Sequence, residues 1–265
     1  MSSDALQLMN EPEWRSGFTN LLNKEYALWW KTRTWWLQSL IWLLILNGLV
    51  ALILWGPLLS TESPPSPVLG YSEGLPFYLN FKGIFVAIGV IIISQGIIIG
   101  EKQSGTAEWV LSNPVSRAAF ILSKLTANAT GILITMVLLQ DLVAYLQFSF
   151  HGGRLLPLLP YFSAMSVQSL HLFYYLALTL MLGTFFNARG AVIGISFAHL
   201  FGLPLLWTVA PGLVRLLPTS LPDLSLLVAL EQPLAPGWYV PIWITLALSL
   251  GYVLVAIWRF EREEF

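Results

Sequence analysis

The sequence predicts an all-α integral membrane protein with six transmembrane helices, and three observations carry that prediction. Of its 265 residues, 56% are hydrophobic and only 10% charged, against roughly 45–50% and 25% in soluble globular domains. The mean hydropathy is +0.72. The apolar residues gather into six segments, each near the ~20 residues that cross a hydrocarbon core. These lie at 36–58, 81–99, 118–148, 161–186, 191–210 and 240–258, within one membrane domain covering 1–265.

Ahead of the first span, residues 12–35 are of mixed polarity. Trp14, Phe18, Leu21, Leu22 and Trp29 recur at helical spacing, with Ser16, Thr19, Asn20 and Asn23 opposite and Glu25 inside the apolar arc. Two readings fit this stretch: a helix lying at the membrane surface, or an ordinary solvated helix. The crowding of Trp29, Trp30, Trp35 and Trp36 at the start of the span favours the first. Met1–Asn10 lacks the charged start and apolar run of a cleaved leader, so none is expected.

Between the first two spans, 60–80 reads as an exposed loop, with Pro57, Pro64, Pro65, Pro67 and Pro76 in or beside it. The third segment is long enough to include a turn outside the membrane. Asn187-Ala188-Arg189-Gly190 leaves the fourth and fifth spans only a tight antiparallel connection. Residues 211–239 hold an apolar run, Leu221–Leu230, too short to cross and broken by Pro218, Pro222, Pro233 and Pro236. It reads either as short re-entrant helices packed back against protein or as a plain surface helix.

Lys and Arg set the orientation. With both termini on one side, that side holds Arg15, Lys24, Lys31, Arg33, Lys102, Arg117, Lys124, Arg189, Arg259 and Arg262, and the other holds Lys82, Arg154 and Arg215. Ten against three places both termini and the 101–117 loop in the cytoplasm.

That loop is the one long polar island between apolar blocks. Gly105 breaks the preceding helix, Thr106 is suited to cap a new one, and Glu108 suits its positive end. Trp109, Val110 and Leu111 supply an apolar face, Pro114 ends the helix, and Ser116 caps the third span. The expected result is a two-turn helix presenting Trp and Leu to the cytoplasm.

Little else in the chain suggests chemistry. There is no cysteine and no P-loop pattern, and a net charge of -1 gives no basic surface for nucleic acid. No catalytic set and no metal site stand out. His171 and His199, on the fourth and fifth spans, differ in depth by about 9 Å at ~1.5 Å per residue, which disfavours a shared haem. Asp141 lies well inside the third span, where an isolated carboxylate costs at least ~2.5–3.5 kcal/mol. Gln140, Gln147 and His171 are its expected neighbours. Two readings stand: with Gln140 and His171 it lines a translocation path, or it makes a helix-packing hydrogen bond.

The run Gly100-Glu101, Ser104-Gly105-Thr106 and Leu111-Ser112-Asn113-Pro114, with Arg117 and Lys124, resembles the signature of ABC transporter permeases of the type-2 (exporter-like) family. Lys24-Glu25 before a basic approach to the first span is similar to that family's elbow helix. Six spans, Arg189-Gly190 in the short fourth-to-fifth turn, and the proline-rich loop before the last span fit the same pattern. The likeness covers nearly the whole chain and looks most similar to the permeases associated with copper-enzyme maturation, the nitrous-oxide-reductase type.

The resemblance implies a coupling helix at about Thr106–Asn113 docked on a separate ABC ATPase subunit. Glu101, Gly105, Thr106, Glu108, Leu111, Pro114 and Arg117 match the docking motif. Trp109 also belongs to the docking face, although it and Val110 depart from the smaller or leucine-like residues expected there. It further implies a pairing with a second copy or a homologous permease, contact with membrane lipid, and multi-pass placement in the plasma (inner) membrane. ATP and Mg would be bound by the partner subunit, with no cofactor in this chain. The expected function is therefore the membrane-spanning permease subunit of an ABC exporter, a transport subunit and not an enzyme. The alternatives are an intramembrane enzyme or haem protein using His171, His199 and Asp141, or an assembly partner that moves nothing.

Overall fold

The computed structural model of the chain describes residues 17–56, 67–112 and 115–263, with backbone alone over 67–73 and at Leu111. Trp14 and Ser16 of the expected elbow, Pro57, Pro64 and Pro65 of the expected loop, and Pro114 of the docking motif lie outside the described residues. Among the described residues the chain is all-helical, and six helices are long and apolar enough to cross a membrane.

Helix α6 (Arg117–His151) is the spine. At ~1.5 Å per residue it runs about 52 Å, well beyond a hydrocarbon core of roughly 30 Å. Ser116 caps it as expected, its Oγ accepting from the Ala119 N–H at 3.0 Å. No turn interrupts it, unlike the expectation for 118–148. One widened turn, Leu133–Leu138, accommodates an extra residue instead. Gln140 satisfies a carbonyl beside that turn, Nε2 donating to Thr135 O at 2.9 Å.

Helices α1 (Phe18–Trp30) and α2 (Thr34–Trp55) follow α6 in succession and in the same direction. Gly17 lies against Val115, Glu25 meets Lys124, and Trp29 meets Asn128 and Gly131. Further on, Asn47 bonds Gln140 at 3.0 Å and Gln147 at 2.9 Å. Spacing is the cause: Leu21, Glu25 and Trp29 recur every fourth residue and form a single inward stripe. Glu25 therefore belongs to the buried face, and α1 runs along α6 and not across it.

Helix α3 (Pro67–Ser94) begins before the expected span 81–99 and takes in 67–80, which had read as an exposed loop. Leu75, Tyr78, Leu79 and Lys82 recur at i, i+3, i+4 and i+7 and are all buried. The prolines masked that stripe. Lys82, counted on the far aqueous side, is instead inside the bundle, so the charge bias becomes ten against two.

After a turn over 95–98 come α4 (Ile99–Gln103) and α5 (Thr106–Leu111). Helix α7 (Leu158–Phe185) is the most enclosed span, packed on α3, and α8 (Arg189–Leu205) is the least enclosed. Short helices α9 (Pro211–Val214) and α10 (Leu221–Ala229) precede α11 (Val240–Glu261). Helices α10 and α11 both pack on α7. The short helices expected in 211–239 are thus present. Helix α10 sits between α3 and α7, with Pro222 so close to Gly83 that a Cβ there would come within 3.0 Å.

Candidate functional site

The polar loop is anchored on every side at its base. Lys124 Nζ lies 2.7 Å from Glu25 Oε1 and 2.8 Å from Glu101 Oε1, and Lys24 reaches the same Glu101 oxygen at 3.1 Å. One ammonium thus joins α1, α4 and α6. Lys102 pairs with Glu263 at 2.6 Å and donates to Thr184 O at 3.3 Å, tying the loop to α7 and to the chain after α11. Gln103 Nε2 donates to Asn187 O at 2.9 Å, in the turn between α7 and α8. Arg117 donates to the carbonyls of Phe260, Glu261 and Glu263, capping the last turn of α11.

Above this base stands α5. Gly105 is its N-cap with φ 70, a backbone conformation that glycine adopts without steric cost. Thr106, expected as the cap, is instead the first helical residue, and its Oγ1 lies 2.8 Å from Ser104 Oγ. Ala107 and Val110 turn inward and are buried, so Val110 does not share the outward face expected of it. Helical spacing decides this, since residues three apart lie on the same side. Glu108 is exposed, and Trp109 keeps 71% of its surface. The side chains of Leu111 and Pro114 lie outside the described residues.

A second polar layer crosses the same helices far from the loop. Lys82 Nζ lies 2.6 and 2.7 Å from the two Asp141 oxygens, and both residues are 0% exposed. Tyr78 donates to Asp141 Oδ1 at 2.6 Å, Tyr161 to Asp141 O at 2.9 Å, and Met165 Sδ lies 3.4 Å from the Lys82 ammonium. Every donor of Lys82 is therefore directed at a neighbour. Seventeen residues of continuous helix separate Lys124 from Asp141, about 26 Å at ~1.5 Å per residue. The two layers have opposite polarity on the antiparallel helices. A slip of α3 against α6 by one turn would break the Lys82–Asp141 pair, and a slip of α4 would break the Lys124–Glu101 pair, so each holds the register of its own helix.

The residues expected to line a path do not converge. Asp141 is paired with Lys82, Gln140 is bound to Asn47 and Thr135, and His171 Nδ1 donates to Pro218 O at 2.9 Å. None of the three bonds another. The neighbours proposed for Asp141 from sequence are thus replaced by Lys82 and Tyr78, which the misplaced start of α3 had hidden. The period of 75, 78, 79 and 82 was the signal that finds them. His199 Nε2 lies 2.8 Å from Tyr174 OH, and the Tyr175 ring lies 5.1 Å from the His171 ring and 5.9 Å from the His199 ring. Among the described residues no three His, Asp or Glu side chains converge as metal ligands do.

A six-span helical bundle whose polar residues are locked in two layers, with one short helix standing beyond them, defines a multi-pass membrane protein. The chain belongs to the family described as protein of unknown function (DUF2705), whose model matches residues 61–264. No curated protein matches it.

Proposed function

We propose that this protein is the permease subunit of an ABC exporter, driven through α5 by a separate ATPase subunit. The observation that carries the reading is the exposed Glu108 and Trp109 on a helix whose base is joined to α1, α6, the α7–α8 turn and the end of α11. A push on α5 is carried to α1 and α6 by the buried Lys124 pairs, which resist separation, and to the α7–α8 turn and the end of α11 by the Gln103, Lys102 and Arg117 contacts. The absence of a P-loop pattern in the sequence requires the nucleotide to be bound elsewhere.

In this reading α1 is the elbow, α5 the coupling helix, and the protein lies in the plasma (inner) membrane with both termini facing the cytoplasm. A second copy or a homologous permease completes the path. Asp141 acts in helix packing, since Lys82 neutralises it within one chain. Charge reversal of Glu108 combined with Trp109→Ala is expected to abolish co-purification with the ATPase subunit or to uncouple its hydrolysis, while the variant folds normally. Unchanged association and coupling would sink the docking assignment.

A further inference from the structure

The end of the bundle away from Gly105 carries a pocket of about 530 Å³ between the end of α8, the α9–α10 segment and the start of α11. That volume is within the roughly 300–1,000 Å³ of small-ligand sites. Its wall combines two charges of opposite sign with aromatic and aliphatic surface. The Arg215 guanidinium stands 5.4 Å from the centre of the Trp207 ring. Asp223 lines the same pocket, and among the described residues neither charge is held in an ion pair. Both side chains are exposed along the pocket, so their charged ends are open to a ligand. Trp238, Leu224 and Leu227 complete the lining.

Depth narrows the class of ligand. Trp207, Trp238, Tyr239 and Trp243 are all substantially exposed and crowd the ends of the fifth and sixth spans, as aromatic side chains do at headgroup level. A group bound there meets an arginine, a carboxylate and an apolar wall at the boundary between water and hydrocarbon.

We propose that this pocket holds the headgroup of a zwitterionic phospholipid, its phosphate on Arg215, its ammonium toward Asp223 and Trp238, and an acyl chain along Leu224 and Leu227. The inference is independent of the transport reading, since it concerns the opposite end of the molecule. The two charges explain the preference: an anionic headgroup such as phosphatidylglycerol can satisfy Arg215 with its phosphate but offers no ammonium to Asp223. A charge-assisted hydrogen bond lost from such a site lowers affinity by about tenfold or more.

The test is binding of defined lipids to the purified full chain in detergent, read by native mass spectrometry and by the thermal midpoint. Phosphatidylethanolamine is expected to bind and to raise the midpoint more than phosphatidylglycerol does. Arg215→Gln and Asp223→Asn should each lower phosphatidylethanolamine binding about tenfold without moving the lipid-free midpoint. Equal or stronger binding of phosphatidylglycerol to the unaltered protein overturns the proposal, and that comparison needs no variant. Retention of full phosphatidylethanolamine binding by either variant overturns it as well.

Discussion

Breaking the Lys82–Asp141 pair on one side only is expected to be far worse than removing it altogether. Asp141→Leu leaves an ammonium that is 0% exposed and whose two carboxylate contacts, at 2.6 and 2.7 Å, are gone, with only Met165 Sδ at 3.4 Å remaining. Removing one partner of a buried pair costs about 3–5 kcal/mol. Lys82→Met leaves Asp141 with the Tyr78 hydroxyl as its side-chain donor and belongs in the same range. The double variant Lys82→Met with Asp141→Leu has no buried charge to compensate. It should fall within about 1–3 kcal/mol of the unaltered protein, the residue being the Tyr78 hydroxyl left without its acceptor. The expected coupling between the two sites is therefore at least about 3 kcal/mol, measured as a double-variant cycle of denaturation in detergent micelles. Additive effects, or single variants costing less than about 1 kcal/mol, would refute the view that the pair is buried and mutually neutralising.

Three other sites give sharp expectations. At Gly131 a Cβ would come within 2.3 Å of the Trp29 ring, so Gly131→Ala should cost about 1–3 kcal/mol and be rescued in part by Trp29→Leu in the same denaturation assay. Ser116→Ala removes the Oγ that accepts from the Ala119 N–H and should cost about 1 kcal/mol, read as a lower midpoint with the helical circular dichroism retained. Gly105 has open space around its Cα but φ 70, so Gly105→Ala strains backbone alone. A cost of about 1 kcal/mol is expected, with faster proteolysis of the 101–117 loop as the readout.

Much of the architecture was legible because a membrane span is a local property: about 20 apolar residues in a row announce themselves whatever they pack against. Five of the six spans lie within a few residues of where the apolar runs put them. The Ser116 cap was legible for the same reason, since a cap bonds a neighbour three residues away. The start of α3 was not, because Pro67, Pro76 and Lys82 lower the local hydropathy of a helix whose buried cation finds its partner, Asp141, only on α6. The Thr106 cap and the outward Val110 were misread at the scale of single residues, where the backbone at Gly105 and contact with the bundle decide the facing.

The amino-acid sequence by itself determined that the chain is helical, that it has six segments long and apolar enough to cross a membrane, and that one polar loop separates the second from the third. Only the tertiary structure decided which polar residues meet. It paired Lys82 with Asp141 across 59 positions of chain and Lys124 with Glu25 across 99. A charge in an apolar run looks like an error until its partner arrives from another helix. Burial makes that partner obligatory, and no reading of one segment at a time can name it.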